Sequence, residues 1–206
     1  KELKINSIIT KKECQSGSER IASICEQLIK RANGINNEDN YIEEKIVKNT
    51  LIVNVQGDQP FLDPLLIKNM IDFCFRSKNI PLLTTPIYKL DQKEIHNPNV
   101  VKTLINKKNQ AIYFSRSAIP HVRGVDQENW HKHNTYYGHV GIYGYRADVL
   151  LKWFELDFSN LENCEKLEQL KLIDSGYKYE TFLTNSHSIS IDTEKQFLEA
   201  QRKIKS

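Results

Sequence analysis

The sequence predicts an α/β domain on a mixed, mainly parallel sheet flanked by helices, with a hairpin extension. Three observations carry that expectation. Residues 50–56, TLIVNVQ, form a short apolar run rich in β-branched residues and closed by Gly57, the pattern of a strand covered on both faces. Asp63-Pro64 follows as an N-cap and first-turn proline, and Leu66, Ile67, Met70, Ile71 and Cys74 continue at helical spacing. Strand, loop and helix in that order are the building unit of a parallel sheet. The segments VVKTLIN and QAIYFSRS around Lys107-Lys108-Asn109 read instead as a hairpin, an antiparallel addition.

In chain order, Ser16 and Glu19 have capping-box spacing, and Ile21, Ile24, Cys25, Leu28 and Ile29 make one apolar face, which predicts a single helix over 18–31. Residues 32–40, ANGINNEDN, are polar and without period, so a surface loop with no chemistry is expected. After the strand at 50–56 and the helix behind Asp63, residues 81–88 read as a strand leading to the hairpin. HVGIYGYR reads as one strand, and ADVLLKWFEL as a helix with Val149, Leu150, Trp153 and Phe154 apolar. A second helix is expected over 161–174, then SISID as a last strand entering a helix over 194–204. No repeat or linker interrupts the series, so residues 1–206 are expected to form one domain.

Composition narrows the function classes. With 29 Lys and Arg against 26 Asp and Glu, the formal charge of +3 is too small for a surface that neutralises many phosphates, so no nucleic-acid partner is expected. No stretch approaches the roughly 18 apolar residues of a membrane span. Cys14, Cys25, Cys74 and Cys164 lack metal-knuckle or scaffold spacing, which fits a reducing cytosol, and KELKINSIIT lacks the apolar core of a secretory signal. The expected location is cytoplasmic. The first residue is Lys1, so an upstream segment is also expected.

Four places could carry chemistry. NVQGDQP delivers Gln56, Gly57 and Asp58 to the carboxyl end of a buried strand, the usual ligand edge of an α/β sheet, although a plain turn has the same composition. ISIDT ends another short strand in Asp192, either a second acid at that edge or a cap beside Thr193. Two such carboxylates could share a Mg2+ ion, which prefers oxygen ligands and substrate phosphate. His139 and Tyr143 fall on the same side of HVGIYGYR by strand alternation, though a lone strand histidine is more often structural. Glu168 and Gln169 in LEQLK read more readily as a solvated helix face than as ligand-gripping groups, while Arg116 in YFSRS reads equally well as a surface strand charge or as a grip for a carboxylate.

Taken in order, CQSGSER, NVQGDQP, NPNVVK, YFSRSAIP, HVGIYGYRADVL, KLEQLKLIDSGYK and IDTEKQFLEA resemble the 3-deoxy-manno-octulosonate (KDO) cytidylyltransferases, from about Cys14 to Glu199. The resemblance implies a nucleotidyltransferase-type fold and transfer of CMP from CTP to the anomeric hydroxyl of KDO, with release of pyrophosphate, for lipopolysaccharide or related glycans. It implies Mg2+ held by Asp58 and Asp192. It further implies a sugar site of Arg116, His139, Tyr143, Glu168 and Gln169, with Arg116 near the sugar carboxylate. The nucleotide side would be Gln15, Ser16, Gly17, Arg20 and Gln56. A homodimer is expected from the family, with YFSRSAIP able to supply part of its interface. The family's opening strand and basic, glycine-containing phosphate loop have no counterpart in this sequence, Gln59 replaces the usual acid after Gly-Asp, and residues 32–48 are longer than usual. The alternatives are a cytidylyltransferase for another acidic sugar, such as a sialic acid or amino-KDO, and a noncatalytic nucleotide-binding or dimerisation module.

Overall fold

The computed structural model describes residues 6–35, 41–76, 78–185, 191 and 194–205. Ser16 opens the first helix as its spacing predicts: its Oγ accepts from Glu19 N at 3.0 Å, and the Glu19 carboxylate reaches back to Gln15 N at 2.9 Å. The single helix expected over 18–31 is two, α1 (Gly17–Ala22) and α2 (Cys25–Ala32). Between them Ser23 Oγ donates to the Arg20 carbonyl at 2.7 Å and Ile24 takes φ −122°, ψ 11°, so a side chain competes with the helical ladder where two turns must change direction.

After α3 (Glu44–Lys48), β1 (Leu51–Val55) is the apolar run of the sequence. α4 (Pro64–Arg76) begins as expected, with Leu65 N donating to Asp63 Oδ1 at 2.9 Å. β2 (Leu83–Lys89) and α5 (Gln92–Ile95) precede the hairpin of β3 (Lys102–Ile105) and β4 (Gln110–Ser115), which turns through Asn109 at φ 57°, a conformation asparagine tolerates. HVGIYGYR is divided into β5 (Tyr137–His139) and β6 (Ile142–Arg146), followed by α6 (Ala147–Leu151). The helix expected over 161–174 is α7 (Asn160–Glu165) and α8 (Gln169–Asp174), broken where Lys166 adopts φ 54°, ψ 48°. β7 (Tyr179–Leu183) and α9 (Glu194–Lys205) complete the order. Most of the strand expected at SISID, including Asp192, lies outside the described residues.

The sheet order is β1-β6-β2-β5-β3-β4-β7, with β7 also paired to β2. The expectation of a mainly parallel sheet is corrected here: among the described strands β2–β7 is the one parallel pair, and the other pairings are antiparallel. The β1–α4–β2 unit does carry two strands in the same direction, but β6 lies between them and runs against both. The break at Val140-Gly141 lets one segment pair with β1 and β2 through β6 and with β2 and β3 through β5. The pairings β2–β5–β3–β4–β7–β2 therefore close into a ring, which a reading of consecutive strands cannot anticipate.

Helices cover both faces. Tyr143, Tyr145, Leu150, Trp153, Leu170 and Tyr179 belong to one cluster with residues of α1, α2 and α6. Leu66, Met70 and Cys74 of α4 meet Val140 and Ile142 in another, each large apolar side chain contributing about 1.5–3 kcal/mol on burial. The β6 alternation thus turns its tyrosines toward α1 and α8 and its small or aliphatic residues toward α4. Among the described residues no helix is long and apolar enough to cross a membrane.

Candidate active site

β1 ends beside the start of α1, and Gly17 makes that approach possible. A Cβ at Gly17 would lie 3.1 Å from Gln56 Nε2 and 3.2 Å from Gln56 Oε1, so any side chain there would displace the glutamine. Gln56 Nε2 donates to Glu168 Oε1 at 2.8 Å, and Ser18 N donates to Glu168 Oε2 at 3.0 Å. Both carboxylate oxygens are thereby engaged. Ser18 Oγ shares a 2.6 Å hydrogen bond with the Tyr145 hydroxyl and accepts from buried Asn54 Nδ2 at 3.2 Å. The left-handed turn at Lys166 starts α8 afresh, and there Gln169 Oε1 accepts from the Tyr143 hydroxyl at 3.0 Å.

The same network reaches β5. The His139 ring lies 5.1 Å from Phe114 and 5.2 Å from Tyr143, so the two residues share a face despite the break in the strand. His139 as a residue keeps partial exposure, but its Nε2 is buried; the nitrogen's surroundings govern protonation, and burial lowers the imidazole from 6.5 to about 3. Burial first, and the Glu168 charge second, raise the Tyr143 and Tyr145 phenols well above their ordinary 10. Near neutral pH the histidine and both phenols are therefore uncharged hydrogen-bonding groups. Among the described residues His139 Nε2 and Gln169 Nε2 are buried without a hydrogen-bond partner, and Gln169 is only 1% exposed. Such unmade bonds are costly, so these two nitrogens are groups in need of a partner.

The structure thus brings Gly17, Gln56, His139, Tyr143, Glu168 and Gln169 into one connected group. Gln15, Ser16 and Glu168 also line a cavity of about 440 Å³ that continues to Ser159, Glu162 and Lys171. Arg20 stands apart from the connected group: its Nη1 donates to Thr10 Oγ1 at 2.7 Å and the Lys11 carbonyl at 2.6 Å. Arg116 is exposed at the end of β4 in a separate cluster, its Nε on the Glu165 carbonyl at 3.0 Å and Nη1 on the Pro98 carbonyl at 3.3 Å. Asp58 is exposed beyond the carboxyl end of β1, and its carbonyl accepts from Ile191 N at 2.9 Å. Asp192 lies outside the described residues. Among the described residues no group of three or more His, Cys, Asp or Glu side chains is placed to hold a metal. A larger cavity of about 860 Å³, lined by Phe73, Arg146, Tyr177 and Glu180 among others, opens at the other end of the sheet by the start of β2 and shares none of these groups.

Sequence reasoning missed Ser18, Asn54 and Tyr145, which join α1, β1 and β6. Asn54 carried a signal, being a polar residue inside an otherwise apolar strand; such a residue needs a buried partner.

A mixed sheet covered by helices, with a glycine admitting α1 against the end of β1, defines an α/β protein with a polar group at its strand ends. The cytidylyltransferase family model matches residues 1–182. Two relatives and one solved structure narrow the class. The 3-deoxy-manno-octulosonate cytidylyltransferase of Parabacteroides distasonis is 44% identical over 69% of this chain and 58% of its own length. That of Fusobacterium nucleatum subsp. nucleatum is 32% identical over 97% of this chain and 71% of its own length. CMP:2-keto-3-deoxy-manno-octonic acid synthetase complexed with CTP superposes with a TM-score of 0.76 at 27% identity, covering 96% of this chain and 71% of that one. The chain belongs to the 3-deoxy-manno-octulosonate cytidylyltransferase family.

Proposed function

We propose that this protein transfers CMP from CTP to the anomeric hydroxyl of KDO. The anomeric oxygen attacks the α-phosphorus, the bond to the β-phosphate oxygen breaks, pyrophosphate leaves and the hydroxyl proton is lost. The observation that carries the reading is the pair of buried, unpartnered nitrogens, His139 Nε2 and Gln169 Nε2, on two residues that both contact Tyr143. A polyhydroxylated sugar supplies hydroxyls that can accept from the Gln169 amide and either accept from or donate to His139 Nε2. Neutral His139 can either donate or accept, and Tyr143 fixes the Gln169 amide so that its N–H groups face away from the phenol. Arg116 grips the sugar carboxylate, and Gln15, Ser16, Gly17, Arg20 and Gln56 form the nucleotide side.

Asp58 suits Mg2+: it offers hard oxygen ligands at an exposed strand end, and its backbone is tied to Ile191, the chain neighbour of Asp192. A cation held by these two carboxylates would offset the repulsion between an acidic sugar and the nucleotide phosphates. The product is an activated sugar for lipopolysaccharide or related glycans. The four free cysteines agree with work in a reducing cytoplasm, and the assembly we expect is a homodimer. The test is pyrophosphate release by the full-length protein with CTP, Mg2+ and, in turn, KDO, a sialic acid and amino-KDO. Turnover fastest with KDO is expected. Preference for another sugar, or binding of CTP without turnover, would overturn the assignment.

A further inference from the structure

The ends of β3, β4 and α7 meet around Arg116, and a buried lysine holds them. Lys102 has no exposed surface, and its ammonium donates to the carbonyls of Asn97 at 2.8 Å, Val100 at 2.7 Å and Arg116 at 2.5 Å. Three N–H groups thus meet three acceptors. In the sheet Lys102 pairs with Ser115 on one side and Gly138 on the other, while His139 N donates to the Val101 carbonyl at 3.0 Å. The Glu165 carboxylate accepts from Ser115 Oγ at 2.6 Å and Arg116 N at 2.9 Å, and the Glu165 carbonyl takes Arg116 Nε. Within this arrangement the bonds of the exposed Arg116 guanidinium use Nε and Nη1, and Nη2 makes none among the described residues, leaving it available for a planar anion.

We propose that Lys102 and Glu165 are positioning residues for the sugar carboxylate, fixing the backbone and guanidinium plane of Arg116 so that its Nη edge meets that group. The inference rests on the reading that Arg116 binds the carboxylate. An apolar residue at position 102 would fill the space without desolvating a charge, and burial is costly enough to pull this ammonium down to about 8. The charge is explained by what it holds: the turn at 97–100, the end of β4 and, one residue away, the strand bearing His139. Glu165 extends the tie to α7, three residues before Glu168.

The experiment uses the full-length protein. It compares KM for KDO, KM for CTP, kcat, and the inhibition constant of KDO methyl ester, which keeps the hydroxyls and lacks the negative charge. The variants are Glu165→Gln, Lys102→Met, Arg116→Ala and the Arg116→Ala/Glu165→Gln double. Glu165→Gln and Lys102→Met are each expected to raise KM for KDO about tenfold, as for loss of one charge-assisted contact, with little change in KM for CTP or in ester binding. In the Arg116→Ala background Glu165→Gln should add nothing. If Arg116→Ala loses the preference for acid over ester while folded Glu165→Gln keeps wild-type KM for KDO, the positioning role is overturned and the Arg116 reading stands. If Arg116→Ala keeps the preference, the Arg116 reading fails and the inference with it. Should Lys102→Met not fold, Glu165→Gln alone decides, because it changes one atom and leaves the lysine in place.

Discussion

Replacing Glu168 tests the connection that joins α1, β1 and α8. Glu168→Ala removes the acceptor for Ser18 N and for Gln56 Nε2, two hydrogen bonds to a carboxylate in a partly buried setting. Bonds to charged groups contribute about 1.5–3 kcal/mol each, and partial exposure favours the low end, so the loss should be about 3 kcal/mol. For a chain of this size that corresponds to a melting temperature roughly 6–12 °C lower. Glu168→Gln should behave differently. Gln56 can turn its amide over in place, presenting Oε1 to the new side-chain N–H while Ser18 N keeps an oxygen, so the cost should stay under about 1 kcal/mol. Urea denaturation at pH 7, read by circular dichroism, measures both variants, and a Gln56→Ala cycle isolates the pair. Equal losses for the alanine and glutamine variants, or less than about 0.5 kcal/mol for the alanine, would refute the account.

His139 predicts an acid limb in stability. Its folded value of about 3 lies below the ordinary 6.5, so between those values the unfolded chain binds more protons and stability falls as pH drops; full stability is present above about 6.5. The whole shift amounts to at most about 5 kcal/mol, and His139→Gln should flatten that part of the urea midpoint against pH. Gly138→Ala should destabilise more than Gly141→Ala: a Cβ at Gly138 would sit 2.5 Å from the Tyr88 ring and 2.6 Å from Leu90, whereas one at Gly141 meets only the movable amide of Gln59 at 2.7 Å. The first should cost about 1–3 kcal/mol and the second less, by urea denaturation. Asp58→Asn and Asp192→Asn should each abolish Mg2+-dependent pyrophosphate release by the full-length protein while leaving its circular dichroism unchanged, and near-normal turnover would remove that residue from the metal site.

Much of the local structure was legible because it depends on local chemistry. The Ser16–Glu19 spacing, the Asp63-Pro64 start and the TLIVNVQ run all became the elements they predict, since caps and apolar runs are settled within a few residues. The helix breaks at Ser23 and Lys166 were not legible: neither contains Gly or Pro, and each is imposed by the direction the next segment must take. β7 was missed because Tyr179, Thr181 and Leu183 alternate with Lys178, Glu180 and Phe182, a mixed pattern that reads as a strand only once its partners are known. The parallel-sheet expectation failed for a related reason. Strand direction within β1–α4–β2 was correct, but the insertion of β6 between those strands is a non-local fact.

The charge arrangement bears on why an acidic substrate could be received here. Buried Tyr143 and Tyr145 are kept as neutral phenols and His139 as a neutral imidazole, so none of them places a fixed charge against the substrate. Glu168 does bring a negative charge into the group, but both of its oxygens already face N–H donors. The positive charge proposed to meet the sugar carboxylate stands separately, on Arg116, held by Lys102 and Glu165 rather than by the phenol network. On this reading orientation and charge neutralisation are supplied by two different clusters. A substitution in the phenol cluster should then disturb recognition of the hydroxyls, while one around Arg116 should disturb recognition of the carboxylate, and the two losses should be nearly additive because the clusters share no side-chain hydrogen bond among the described residues and meet through the backbone pairing of β3 with β5.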